Sequence, residues 1–287
     1  MKGKIYSLFF LLTLFACDNS SIERVEVNPP PDVTVSRAEI DNFVNRVFVN
    51  LLGREPLVSE KYRFSSRLSS DNFNIASKSE FIDSIVNFPE YNLNIYKSQR
   101  EYLLNFIFHP SFLPQTLEIW RKLPRSPESL AEISRLELIA AIPVDLNSGK
   151  LELEGLQRRL THNSFYDFVN MGTENFVVSC FENFLLRFPT KFELEQGKKM
   201  VDGNAATLFG KSGSSKNQFL DIIFNSMSYS EGQVRLLFRQ YLYRETTAIE
   251  LASFSLSYHL EKKFRDIQKA ILIMDENYQN SKEGTEK

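Results

Sequence analysis

Ile40, Phe43, Val44, Val47, Phe48, Leu51 and Leu52 are spaced in steps of three and four, which traces one face of a helix. Ser36-Arg37-Ala38-Glu39 in front of them has capping-box spacing, and Gly53 behind them can close the helix in the left-handed region. Arg54-Glu55-Pro56 comes next, then Glu60, and Pro56 is expected in the first turn of a second helix. A third helical stretch reads Phe81-Ile82-Asp83-Ser84-Ile85-Val86-Asn87-Phe88-Pro89-Glu90-Tyr91.

The order recurs further along the chain. Phe181, Phe184 and Leu185 lead to Arg187-Phe188-Pro189, with Glu193 four residues beyond the proline, as Glu60 is beyond Pro56. Phe219-Leu220-Asp221-Ile222-Ile223-Phe224-Asn225 then parallels Phe81 to Asn87, and Tyr229 takes the place of Tyr91. A third copy has Leu237, Phe238, Tyr241 and Leu242, then Arg244-Glu245-Thr246 and Glu250, and a looser last helix through Ile267, Ile271 and Leu272 to Tyr278. A degraded copy in the middle keeps Pro114 four residues before Glu118 and the block Phe165-Tyr166-Asp167, but lacks the Arg-x-Pro turn and holds the only tryptophan, Trp120. These units resemble the helical repeats of large bacterial secreted proteins of unassigned function, which carry a Gly-Arg-x-Pro turn and a Ser-Pro-Glu-Tyr-like block. The resemblance implies a helical fold outside the cytoplasm and no particular reaction.

Repeated Arg54, Arg187 and Arg244 could form an anion clamp, but a structural role accounts for them better. Thr190 with Glu193, and Thr247 with Glu250, sit at capping-box spacing, where the acid satisfies free amides and suits the helix dipole. Each arginine lies at a helix end and can pair with that glutamate.

The N-terminus has a different pattern. Lys2 and Lys4 precede an uncharged run from Ile5 to Ala16, and these 12 residues cover about 18 Å against a hydrocarbon core of about 30 Å. A basic start and a short apolar run form a secretory signal. The run ends Leu14-Phe15-Ala16-Cys17, which resembles the lipobox of bacterial lipoproteins. That resemblance implies removal of residues 1–16, a diacylated Cys17 as the mature N-terminus, and attachment to a membrane. Asp18 beside the cysteine resembles surface-export signals in one group of bacterial lipoproteins and inner-membrane retention signals in another; the outer membrane or cell surface is the expected place. Residues 17–35 carry Pro29-Pro30-Pro31 and no helical period, as expected of a semi-rigid spacer. Residues 280–287 are polar, as in a frayed tail.

Composition changes this picture little. Of 287 residues, 43% are hydrophobic and 24% charged, and 25 phenylalanines against 11 glycines favour a packed core over a loop-rich scaffold. A net charge of −2 argues against nucleic acid as a partner. With Cys17 acylated, Cys180 has no partner for an internal disulfide; its neighbours Phe176, Val177, Val178 and Phe181 mark it as a small packed hydrophobe.

The chemical motifs are weak. Ala205-Ala206-Thr207-Leu208-Phe209-Gly210-Lys211-Ser212 fits a relaxed nucleotide-loop pattern, but Glu193–Asp202 before it reads as helix where that loop needs a strand. Asp145-Leu146-Asn147-Ser148-Gly149 has its glycine one place too early for a calcium loop and Leu156 where a bidentate acid is needed. His109, His162 and His259 lack metal-ligand spacing. No catalytic residue, metal or cofactor is assigned.

The expectation is an all-α domain over residues 36–279, with about ten to twelve helices in three or four related units that bury aromatic faces against one another. Expected core residues are Phe43, Val47, Phe48, Leu51, Phe81, Ile85, Phe184, Leu185, Ile223, Phe238 and Leu242. Leu130, Ile133, Leu136 and Ile139 predict a further helix running from Ser126-Pro127-Glu128 to Pro143, and Asp202–Ser215 is expected to be a glycine- and serine-rich loop. The expected function is a non-enzymatic scaffold or binding module on the cell envelope, with an envelope protein as partner. The alternative is an envelope hydrolase using carboxylates brought together between units.

Overall fold

Ser36 and Glu39 cap each other's backbone amides, which starts α1 (Arg37–Leu52), and Gly53 at φ 70° ends it. α2 (Val58–Ser70), α3 (Ile75–Val86) and α4 (Pro89–Leu103) complete the first unit. The computed structural model describes residues 35–105 and 108–279; the signal peptide at 1–16, Cys17, almost all of the linker and the tail at 280–287 lie outside the described residues.

The middle of the chain is α5 (Leu113–Lys122), α6 (Pro127–Ala140), α7 (Ile142–Asn147), α8 (Leu153–Thr161) and α9 (Ser164–Val169). α10 (Thr173–Cys180) continues into a π-helical turn over Phe181–Leu185, and α11 (Lys191–Val201) follows. A hairpin of β1 (Ala206–Leu208) and β2 (Lys211–Gly213) precedes α12 (Lys216–Phe224) and α13 (Met227–Tyr241). α14 (Ala248–Glu261), α15 (Phe264–Leu272) and α16 (Glu276–Gln279) close the chain. The fold is all-α apart from this one hairpin among the described residues. Helix α13 serves twice, as the closing helix of the second unit through Tyr229 and the leading helix of the third through Phe238.

Four expectations need correction. The described residues hold 16 α-helices, more than expected, because the middle is divided into five helices, three of which carry a proline in the first turn (Pro114, Pro127 and Pro143). Pro143 does not merely end α6; it sits in the first turn of α7, where its missing amide is not needed. The 202–215 stretch is a hairpin, with Ala206, Thr207 and Leu208 paired to Gly213, Ser212 and Lys211. Its two-residue turn has positive φ at both Phe209 (51°) and Gly210 (73°), the twist that suits antiparallel neighbours. Leu130 faces solvent, while Leu136 and Ile139 turn inward.

All eleven expected core residues are buried. Many of the phenylalanines touch one another: Phe64 and Phe81 have ring centroids 4.9 Å apart, and Phe184 and Phe224 4.8 Å. Such pairs add about 0.5–1.5 kcal/mol each beyond the area they bury. Two polar networks cross the core. The Tyr91 hydroxyl donates to Gln268 at 2.6 Å, and the Gln268 amide donates to the Tyr241 hydroxyl at 2.7 Å. The Tyr229 hydroxyl donates to Gln157 at 2.8 Å, and the Gln157 amide donates to Gln99 at 2.9 Å and Gln233 at 3.2 Å. Tyrosine hydroxyls in apolar surroundings need such acceptors, so these bonds tie α4, α8, α13 and α15 in one arrangement.

The first and last units meet. α1 packs against α16, and Arg46 on α1 donates to the Asn277 carbonyl and, at 3.0 Å, to the Tyr241 carbonyl. The buried Lys78 on α3 bonds Asp275 at 2.7 Å, and the rings of Phe73 and Tyr278 meet edge to face at 4.9 Å. The units therefore close on one another rather than forming an open stack.

Candidate functional site

The repeated Arg-to-Glu motif builds the same clasp three times. Arg54 donates from Nη1 and Nη2 to the two oxygens of Glu60, at 2.8 and 3.0 Å. Arg187 holds Glu193 in the same way at 2.8 and 2.6 Å, and Arg244 holds Glu250 at 2.9 and 2.7 Å. Each Nη1 also donates to the carbonyl of the following residue: Glu55, Phe188 or Glu245. Each glutamate accepts the backbone N–H three residues before it, from Leu57, Thr190 or Thr247. Under each guanidinium lies a phenylalanine six residues upstream: Phe48, Phe181 and Phe238, at 5.3, 5.1 and 5.1 Å. The clasp is thus a carboxylate above, a ring below and a helix start alongside.

Two clasps recruit a further acid. Glu90, in the first turn of α4, accepts from Arg54 at 3.2 Å, and Glu276 of α16 accepts from Arg244 at 2.6 Å. Arg187 is bonded to Glu193 and feels Glu231 at longer range. The arginine hydrogen bonds, and then the capping amides, hold Glu193 and Glu250 at about 2, well below the usual carboxylate range. Glu60 is lowered for the same first reason, its bonds from Arg54. Pro56 was expected inside α2 but precedes the N-cap residue Leu57; Pro189 likewise precedes the N-cap Thr190, and Thr246 stands there in the third clasp. Glu118, the matching acid of the middle segment, bonds Lys122 at 2.7 Å, so no clasp forms there. The structure therefore places the motif residues in the joints of the fold.

A polar cleft of about 340 Å³ opens where α4, the turn between α7 and α8, and the starts of α8 and α15 converge. Glu152 and Arg265 line it, with Asn92, Asn147 and Ser148 on its rim and Ile95 and Phe264 on its wall. Partial burial pushes the Glu152 carboxyl up, opposed by Arg265, reinforced by Asp266 and opposed again by Lys263. No spacing rule marks Glu152 in the sequence, because its cleft is assembled by segments far apart in the chain.

An apolar groove of about 420 Å³ lies between α5 and the α6–α7 corner, beside α4. Leu113, Leu117, Ile139 and Tyr96 form it, Pro110, Pro114 and Pro143 stiffen its edges, and Arg121 stands at its rim. Phe112 and Val144 are exposed nearby, at 52% and 70%.

The remaining motif residues are occupied structurally. Asp145 bonds Arg159 at 2.7 Å, and its carbonyl accepts the amides of Lys150 and Leu151. Gly210-Lys211-Ser212 leads into β2 and not into a helix, so its amides do not wrap a phosphate. The His109 ring accepts the Ser111 amide at 3.3 Å. Burial first, then Arg135, Lys216 and Arg158, lower His162 to about 4. Cys180 is fully buried, and burial pushes its thiol well up, as expected of a packing residue. Among the described residues no three His, Cys, Asp or Glu side chains converge as metal ligands, and no helix is long and apolar enough to cross a membrane.

No family model, curated protein or solved structure matches the chain.

Proposed function

We propose that the chain is a lipoprotein of the bacterial cell envelope, tethered through Cys17 at the outer membrane or cell surface, and that its helical domain is a non-enzymatic binding module for another envelope protein. The N-terminal pattern supports the tether: a basic start, an apolar run too short to span, and Leu14-Phe15-Ala16-Cys17 before a proline-bearing spacer. We take the three clasped turns as copies of one unit, related to the helical repeats they resemble. The observation that carries the binding reading is the apolar groove at Leu113, Leu117 and Ile139, which offers a preformed, proline-stiffened seat for apolar side chains. The repeated arginines and glutamates are spent on one another and leave the recognition to this groove.

The second reading, an envelope hydrolase, is favoured by the raised carboxyl of Glu152 in a cleft between units. Glycoside hydrolysis needs two facing carboxyl groups, and among the cleft's lining residues Glu152 is the only acid.

The test is a photo-cross-linking amino acid in place of Arg121, used in intact cells of the native host. A discrete protein adduct, lost when Leu117→Asp is added, is the expected result. No adduct, or an adduct that Leu117→Asp leaves unchanged, contradicts the groove as the docking site.

A further inference from the structure

The polar cleft at Glu152 is a built site independent of the apolar groove, and its parts hold one another. Asn92 donates to Asn147 at 2.9 Å and accepts from Arg265 at 2.9 Å. Arg265 lies over the Tyr91 ring, 4.9 Å from its centroid, and that ring is anchored through its hydroxyl to Gln268. The Ser148–Lys150 turn, with Gly149 at φ 70°, is fixed by two amides on the Asp145 carbonyl and by the Asp145–Arg159 pair. A ligand entering here meets Asn92, Asn147, Arg265 and the Ser148–Lys150 turn already set in place, so part of the ordering cost is met before binding.

The chemistry on offer is mixed. The Glu152 backbone carbonyl accepts the Leu156 amide at 3.0 Å, whereas its carboxylate receives no hydrogen bond among the described residues, so both carboxylate oxygens are open acceptors in the cleft they line. Asn147 retains its amide N–H groups, and Arg265 retains guanidinium hydrogens beyond the one given to Asn92. Acceptor and donor charges balance: a free oxyanion would meet Glu152, and a free cation would meet Arg265. Ile95 and Phe264 give the wall an apolar face, and Gly149 leaves open space where a side chain would stand. Planar groups that pair with two neighbouring hydroxyls, next to a surface that takes C–H faces, suit a neutral polyhydroxylated ring.

We propose that this cleft binds a short neutral saccharide, with Glu152 accepting from ring hydroxyls and Asn147 and Arg265 donating to them. With a single lining carboxylate the site holds the sugar without cleaving it. The proposal stands apart from the protein-docking groove, and either can fail alone.

The test is saturation-transfer NMR on the purified chain with glucose, cellobiose, maltose and N,N′-diacetylchitobiose, each at about 10 mM, which reveals Kd values in the millimolar range. Transfer from at least one sugar is expected. Glu152→Ala and Asn147→Ala should each weaken it about tenfold with unchanged melting temperature, the loss of a hydrogen bond to a charged or fixed partner. Arg121→Ala, in the other groove, should leave it unchanged. Glu152→Gln keeps one acceptor and should retain part of the signal. Absence of transfer from all four sugars overturns the proposal, as does transfer that survives both alanine variants or is lost in Arg121→Ala. Release of monosaccharide from either glucose disaccharide or from diacetylchitobiose would overturn the non-cleaving assignment.

Discussion

Arg244 has two carboxylates and Arg187 one, and that difference sets what each is worth. Both guanidiniums are about a third exposed, so solvent screens part of the attraction. Arg187→Ala should cost about 1–2 kcal/mol, and Arg244→Ala, which also strands Glu276, about 2–3 kcal/mol by urea unfolding. The pH dependence has a fixed sign. Glu193 and Glu250 fall from 4.5 to about 2 on folding, so their contribution is complete above about 4.5 and is lost as pH falls towards about 2. The stability gap between the native chain and Arg244→Ala should therefore be widest near neutrality and should narrow through that acid window; a gap that stays constant to about pH 2 would contradict the clasp. The pairing of Arg54 with Glu60 was legible, because proline, capping amide and acid keep a short fixed spacing. The ring beneath was not, because Phe48 is fully explained as a core position of α1. Glu90 and Glu276 were not either, since only the folded chain brings them to the arginine.

Among the elements, the π turn at Phe181–Leu185 shows why periodicity alone falls short. It ends at Leu186 in the left-handed region, φ 53°, and carries the Phe184 carbonyl onto α13. Gly232 on α13 accommodates that approach: a Cβ there would stand 2.2 Å from the Phe184 oxygen and 3.0 Å from the Leu185 Cα. Gly232→Ala should cost about 1–3 kcal/mol, because rigid backbone and not a mobile side chain must yield. A melting temperature equal to that of the native chain would show that the two elements do not pack this closely. The long helix α1 and the second half of α13, through Leu237, Phe238 and Tyr241, could be read from their apolar stripes; that α13 runs unbroken back to Met227 could not. In the middle α6 was legible from Ser126-Pro127 and its apolar steps, but the rest was not, because helices as short as α7 and α9 give too few turns to establish a period. The hairpin at 206–213 was hidden for a similar reason: three-residue strands are too short to alternate.

At the scale of the molecule, closure depends on the C-terminal segment. Lys78 is buried against Asp275, Phe73 packs on Tyr278, and Arg46 donates to Asn277. Ending the chain after Leu272 should uncover Phe73 and the Lys78 ammonium and lower the melting temperature by several degrees, since about 1 kcal/mol moves the midpoint of a domain this size by about 2–4 °C. An unchanged midpoint would mean that the units stand without being joined end to end. The all-α class was legible from the repeated apolar faces, whereas the meeting of first and last units depends on contacts nearly 200 residues apart in sequence, such as Lys78 with Asp275. The proposed function rests on a lipid tether at Cys17. Native-host cells grown on labelled palmitate, followed by immunoprecipitation of the chain and of Cys17→Ala, report on that directly. The tethered state predicts label on the native chain in the membrane fraction and none on Cys17→Ala; an unlabelled native chain, or equal label on both, would contradict it.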